Sequence, residues 1–502
     1  MTTEGHPGAT RVRSDPVTPA PQLSLAVVAA AVDDARVRGD RVRVADASFD
    51  TREVAPGSLF FCIPGATVDA HDLAADAVRA GAAALVVERW LDVAAPQVLV
   101  GSVRAAMGPM SAVLFGRPAE AMTTVGVTGT NGKTTTTYLV ESILRAGGSV
   151  PGVIGTTGAR VAGEPVPLAR TTPEAPDLHR LLASMRDRGV RAVAIEVSSH
   201  ALAQDRVGGV RFDVAAFTNL SQDHLDFHGD METYFRAKAS LFTPERASAS
   251  AIGIDDDHGR RLRTETSVPG LTYGLSPDAD VRGTDLEVDA TGISFRVGGT
   301  AVRSVLRGSF NVLNCLCAVA IARLMGIDDG IAAAGIGALT GVPGRLEPVE
   351  EGQDFLVVVD YAHTPDSIQT VLAAARDVAS GRVIVVFGCG GDRDRAKRPL
   401  MGAAASSAAD LTVLTSDNPR TEDPLTIIAE IESGVREGGG TYRIEPDRRA
   451  AIRAAIRAAS AGDVVVIAGK GHEQGQTFAD RTVPFDDRSV AAEELRAAGG
   501  ER

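Results

Sequence analysis

Short runs of four to six mostly apolar residues recur along the chain, separated by longer stretches with helical spacing. Runs this apolar, without polar alternation, suit strands buried on both faces of a parallel sheet. In the first hundred residues the strand candidates are Leu59–Ile63, closed by Pro64-Gly65, then Ala84–Val87 and Val98–Val100. His71–Ala80 has helical spacing and stops at Gly81. A linker is expected at Phe115-Gly116-Arg117-Pro118. A second series follows: a strand at Thr124–Val127, a helix over Thr134–Arg145 stopped by Gly147-Gly148, and strands at Ala192–Val197 and Val214–Phe217. After a hinge at Gly341-Val342-Pro343-Gly344, a third series begins. Its strands are Phe355–Val359, Val383–Phe387, Leu411–Leu414 and Val464–Ala468, each running into a polar or glycine-rich turn. The pattern predicts an α/β protein of three units, each with a mainly parallel or mixed sheet: 23–118, 119–340 and 341–502. A disordered tail is expected over 1–22, rich in Pro, Thr and Gly and without the apolar segment of a signal peptide.

Composition agrees and narrows the function. A chain of 502 residues, 44% hydrophobic and 23% charged, has room for about three cores. Aromatics are only 4%, so the cores must be aliphatic. The net charge of −13 argues against a protein held to nucleic acid or anionic lipid by a global basic field. Small anions remain possible ligands, because helix N-termini and local Arg clusters bind them. No uncharged apolar run approaches membrane-spanning length. Cys62, Cys315, Cys317 and Cys389 are too few and too scattered for a disulfide framework, so reduced thiols in a cytosol are expected.

The strongest local signal is Gly129-Thr130-Asn131-Gly132-Lys133-Thr134-Thr135 between a predicted strand and helix, the context of a phosphate-binding loop. Its glycines free backbone N–H groups for phosphates, Lys133 suits the β- and γ-phosphates, and the Thr134 hydroxyl suits Mg²⁺. Val127 stands where the full pattern has its first glycine. Glu196 ends an apolar run, and an acid there suits a metal. His224 follows another strand, while Lys238 by spacing alone reads as a helix-surface lysine. In the third unit, Gly388–Arg395, Asp417–Arg420 and Gly469–Glu473 each follow a strand and should meet at one sheet edge. Arg393 and Arg420 suit a carboxylate and Glu473 an ammonium, so the convergent ligand reads as zwitterionic.

Taken together, these strings resemble the Mur ligase family. The shared segments also include Asn219–Gly229, Tyr234–Phe242, Gly308–Asn314, Val342–Arg345 and Asp360–Asp366. The resemblance implies a UDP-binding domain, a central ATPase domain and a Rossmann-like C-terminal domain. It implies ATP at Gly129 to Thr135 with Asn311, Asn314, Arg345 and Asp360. It implies metal ligands at Thr134, Glu196, His224 and Lys238, with Lys238 carbamylated by CO₂ and two Mg²⁺ ions held. Lys133, Glu196, His224 and Lys238 form the implied catalytic set. UDP-MurNAc-L-Ala-D-Glu would meet Thr51, Thr171, Thr172, Ser198, Gln204 and Arg206, while Arg170 stands where some relatives have Asn. The motif Asp417-Asn418-Pro419-Arg420, with Arg393, Gly469 and Glu473, implies meso-diaminopimelate as the added amino acid. Gly253 replaces an Asn usual in the family. The expected activity is an ATP-dependent acid–amino-acid ligation through an acyl phosphate, by a cytoplasmic monomer in peptidoglycan precursor synthesis. Two alternatives stay open: the same ligation with L-lysine, or a nucleotide-gated binding or scaffold protein that uses the loop as a switch.

Overall fold

The computed structural model describes residues 22–39, 41–65 and 67–500. The tail expected at 1–22 lies, apart from Gln22, outside the described residues. Three main sheets carry the chain. The first has the strand order Arg36–Arg38, Gln97–Leu99, Ala82–Val87, Ser58–Phe61, Asp46–Ser48, parallel except at the Arg36–Arg38 edge. The helix read from His71 begins only at Ala74, and it ends as expected at Gly81, whose φ of +116° caps it.

The second sheet has eleven strands. Its parallel centre runs Pro151–Gly155, Ala192–Glu196, Thr123–Thr128, Phe212–Phe217, Ala247–Gly253, Gly270–Gly274, and hairpin strands extend both ends. The central strands alternate their burial between two cores. Val125, Val127, Ala194 and Ala216 pack on the side of helices Lys133–Ala146 and Phe310–Leu324. Val193, Ile195, Phe212 and Phe217 pack on the side of helices Ala175–Asp187 and Met231–Ala239. Burial on both faces explains the continuous apolar runs.

The third sheet has the order Glu347–Pro348, Leu356–Asp360, Val464–Ala468, Val383–Phe387, Leu411–Leu414, Tyr442–Ile444, parallel after its first strand. This order puts the turns after Val464–Ala468, Val383–Phe387 and Leu411–Leu414 side by side. The four cysteines are free and buried. Cys389, inside one of those turns, lies 3.6 Å from Met401 Sδ, and burial pushes its thiol up to about 12, so it is not a ready nucleophile.

Candidate active site

Three neighbouring strands of the second sheet end together, with Glu196 in register with Val127 and Phe217 with Thr128. The turn after Thr123–Thr128 is the predicted phosphate loop. Gly129 has φ +147°, and a Cβ there would stand 1.8 Å from Thr218 Oγ1. Gly132 caps the following helix at φ +86°, and a Cβ there would stand 2.3 Å from Asn314 Oδ1. Both positions therefore demand glycine. The next strand end fastens the loop: Thr130 N–H donates to Asn219 O (2.9 Å) and Asn131 N–H to Asn219 Oδ1 (3.0 Å). Asn314, below the loop, donates to Asn311 Oδ1 (2.8 Å), so these two predicted residues form one unit.

Two lysines share one acceptor here. Lys133 Nζ donates to Gly129 O (2.9 Å) and Thr130 O (2.8 Å), and Lys238 Nζ donates to Gly129 O (2.7 Å). Burial holds both below the usual lysine range, and Lys133 lowers Lys238 further by repulsion. Lys238, a helix-surface residue by spacing alone, is buried. Tyr234 and Lys238 lie four residues apart on the inner face of helix Met231–Ala239, with Nζ 4.6 Å from the Tyr234 ring centre. That i, i+4 pairing was the signal available in the sequence.

Glu196 is 1% exposed, not a solvated strand end. Its carboxylate accepts from Thr134 Oγ1 (3.1 Å), Thr156 N–H (2.9 Å) and Thr156 Oγ1 (2.9 Å). Thr134 Oγ1 also accepts from Arg345 Nη2 (3.0 Å), so the third unit reaches the loop through a predicted residue. Asp360 holds that arginine's turn, accepting from Leu346 N–H (2.7 Å) and Ala362 N–H (2.8 Å). Asp366 makes a second crossing, accepting from Asn131 Nδ2 (3.0 Å) and Ser221 Oγ (2.8 Å). Local sequence pattern assigns Asp366 no role, because both of its partners lie in another unit.

The structure pairs His224 with Asp223 (Nε2 to Oδ2, 3.3 Å) and sets its ring 4.7 Å from His200. Among the described residues no group of three His, Cys, Asp or Glu converges as a metal site. The hard oxygens available are those of Thr134 and Glu196. One hydroxyl and one carboxylate fit Mg²⁺, which keeps waters and takes phosphate oxygens for the rest of its shell.

A second cluster joins this one at the strand end. Thr172 Oγ1 donates to Glu196 O (2.7 Å) and accepts from Ser198 N–H (3.1 Å). Thr171 Oγ1 meets Thr156 Oγ1 (3.1 Å). Arg206 donates to Gln204 Oε1 (2.6 Å) and Thr172 O (3.3 Å). Five of the six residues assigned to the UDP-dipeptide are thus contiguous, while Thr51 opens the 3-10 turn Thr51–Glu53 of the first unit.

In the third sheet the three predicted turns do meet. Gly391 N–H donates to Asn418 O (2.9 Å), Arg420 Nη1 to Gly391 O (2.6 Å) and Asn418 Nδ2 to Glu473 Oε2 (2.7 Å). A Cβ on Gly469 (φ +111°) would stand 2.5 Å from Asp417 Oδ2, and one on Gly391 would stand 1.9 Å from Pro419 O. Arg420 adopts φ +53°, and exposed Arg393 bonds Asp392 O (3.0 Å). Two further residues organise the cluster. Lys470, fully buried, donates to Asn418 Oδ1 and Glu473 Oε2, both at 3.0 Å, so an incoming ammonium would share Glu473 with it. Arg398, also fully buried, ties Gly390 O (3.2 Å) to Glu422 and Glu430. Their partners lie up to 52 residues away, which no local pattern reveals.

Comparison with known proteins matches this architecture along the chain. The Mur ligase family, catalytic domain, covers residues 46–113; the Mur ligase middle domain covers 127–322; the Mur ligase, glutamate ligase domain, covers 344–471. A UDP-N-acetylmuramoyl-L-alanyl-D-glutamate–2,6-diaminopimelate ligase of Solibacter usitatus is 47% identical over 91% of this chain and 95% of its own length. The like-named ligase of Streptomyces coelicolor is 45% identical over the full length of both. A solved structure of a ligase of that name superposes with a TM-score of 0.68 at 34% identity, covering 95% of this chain and 99% of the other. Three family models spread from residue 46 to residue 471, with relatives 45–47% identical over nearly the whole chain, lead to one conclusion: the chain belongs to the Mur ligase family.

Proposed function

We propose that this protein joins meso-diaminopimelate to UDP-MurNAc-L-Ala-D-Glu in an ATP-dependent amide-bond ligation. The segments 23–118, 119–340 and 341–502 would serve the nucleotide sugar, ATP and the amino acid respectively. The observation that carries this reading is the chain Arg345–Thr134–Glu196, which links the amino-acid unit to the phosphate loop and a metal-suited carboxylate.

In the first step the side-chain carboxylate of D-glutamate attacks the γ-phosphorus of ATP. The bond to the β–γ bridging oxygen breaks, ADP leaves and an acyl phosphate forms. The diaminopimelate amine then attacks the acyl carbon, phosphate departs with the C–O electron pair, and the nitrogen gives up a proton. Gly129 and Gly132 open the backbone to phosphate, and Lys133 with the helix N-terminus sets positive potential there. Thr134 and Glu196 would hold one Mg²⁺, and a carbamylated Lys238 with His224 would hold a second; bound there, the ions neutralise the converging oxyanions. Burial, then repulsion from Lys133, holds the Lys238 amine well below the usual lysine range, which suits carbamylation: the unprotonated Nζ bonds the carbon of CO₂ and releases a proton. Asn311, Asn314 and the Arg345–Asp360 pair serve the nucleoside end.

For the amino acid, Arg420 and Arg393 would take the far carboxylate, while Asp417 and Glu473, set by Asn418, Pro419 and Gly469, would take the far ammonium. Lysine lacks that carboxylate, and leaving a guanidinium site unmatched costs about 1–3 kcal/mol. Among the described residues no helix is long and apolar enough to cross a membrane. We propose a cytoplasmic monomer. The test is phosphate release with diaminopimelate, lysine or D-Ala-D-Ala, each with and without the UDP-dipeptide. Release should need both acceptors and favour diaminopimelate. Steady release without acceptors would favour the switch reading, and faster turnover with lysine would overturn the amino-acid assignment.

A further inference from the structure

Glu174 is 4% exposed and stands at the N-cap position of helix Ala175–Asp187, yet it makes no cap hydrogen bond. Its carboxylate is taken by three arginines instead. Arg104 Nη1 lies 2.5 Å from Oε2, Arg170 Nη1 2.6 Å from Oε1, and Arg206 Nε 3.0 Å from Oε1. Arg104 comes from the first unit, on helix Val103–Leu114. That helix is pressed against the second unit, where a Cβ on Gly108 would stand 2.3 Å from the Gly208 backbone. Three guanidiniums on one carboxylate leave two positive charges in excess. Burial, helped by repulsion from Arg170 and Arg104, outweighs Glu174 and holds the Arg206 guanidinium below its usual range. Arg206 is the most buried of the three, at 11% exposure, so its charge gains most from an added anion. Arg206 donates in turn to Thr172 O, and Thr172 Oγ1 to the backbone of Glu196.

We infer that Arg104, Arg170 and Arg206 form one carboxylate-binding site, spanning two units, for the acidic peptide end of the nucleotide substrate, and that Glu174 is the positioning residue that aims them. The inference rests on the ligase reading above. The site adjoins the Glu196 strand end, where the acceptor carboxylate must lie to be phosphorylated. A diphosphate would offer the same anionic chemistry, and the test separates the two. Arg104 and Glu174 are 70 residues apart in sequence, so only the packing of the two units makes the site.

The experiment uses the full chain, with steady-state phosphate release at low and high salt. Arg104→Gln should raise the KM for UDP-MurNAc-L-Ala-D-Glu at least tenfold and flatten its salt dependence, leaving the KM for ATP within twofold. Competition by UDP-N-acetylglucosamine, which carries the diphosphate but no carboxylate, should be unchanged; an equal loss for it would move the site to the diphosphate and overturn the carboxylate assignment. Glu174→Gln is decisive for positioning. If Glu174 merely cancelled charge, its removal would tighten anion binding. A positioning role predicts the reverse, a KM raised about tenfold despite the added positive charge. A lowered KM in Glu174→Gln, or an unmoved KM in Arg104→Gln, overturns the inference while wild-type ligation stands. Absent ligation by the wild type would instead remove the function it rests on.

Discussion

Replacing Gly129 by alanine strikes the phosphate loop at its most constrained point. The native φ of +147° is a conformation that alanine occupies only under strain, about 1–3 kcal/mol. The new methyl would also stand 1.8 Å from Thr218 Oγ1. That hydroxyl donates to Asn131 O at 2.6 Å, so moving it aside forfeits a hydrogen bond of about 1 kcal/mol. The methyl has no other easy escape, because Thr218 Cβ and Asn219 N lie at 3.0 and 3.1 Å. The combined distortion, about 2–4 kcal/mol, falls on the loop whose N–H groups must face phosphate. At about 1.4 kcal/mol per decade, kcat/KM for ATP should drop roughly 30- to 1000-fold. The assay is phosphate release against ATP at saturating acceptors, with a fluorescent ATP analogue reporting binding directly. Thr218→Ala in the same background removes the oxygen, but it forfeits the same hydrogen bond and leaves the dihedral strain, so it should recover little of the loss. Nucleotide affinity within threefold of wild type in Gly129→Ala would refute the reasoning. Full recovery in the double variant would leave the clash standing and refute the dihedral argument.

Other outcomes follow from the same geometry. Lys238→Ala should lose at least 95% of activity and regain part of it with a short carboxylate such as formate, measured as ADP formation; undiminished activity would exclude the carbamate. Arg420→Ala should raise the KM for diaminopimelate tenfold or more and leave that for ATP nearly unchanged, read by a coupled ADP assay. His179 should make the fold acid-sensitive. Burial lowers its pKa from 6.5 to about 4 while it bonds Gly208 O (2.9 Å), so the folded state prefers the neutral ring. Its contribution is complete above pH 6.5 and is lost as pH falls from there toward 4, up to about 3 kcal/mol. Denaturant titrations of wild type and His179→Gln between pH 8 and 4 should converge on the acid side, and parallel curves would count against it.

Most elements were legible because their signals are local. Val383–Phe387, Leu411–Leu414 and Val464–Ala468 stand where the apolar runs put them, and the phosphate loop announces itself by glycines between strand and helix. Element starts were less clear. The helix from Ala74 begins three residues later than its spacing suggested, because Leu73 offers no cap hydrogen bond to mark the start.

Charge environment was hidden. Residue order alone determined the α/β class, the strand-end turns and the identities of the candidate groups, since periodicity and glycine chemistry act within a few residues. Only tertiary structure decided which of those groups are buried and with whom they pair. Lys238 changed from a surface lysine to a buried amine sharing Gly129 O with Lys133; Glu473 acquired Lys470; Glu174 gathered arginines from two units. Burial and electrostatic pairing depend on which strands are neighbours in a sheet and which units touch, and those contacts join residues tens to hundreds of positions apart.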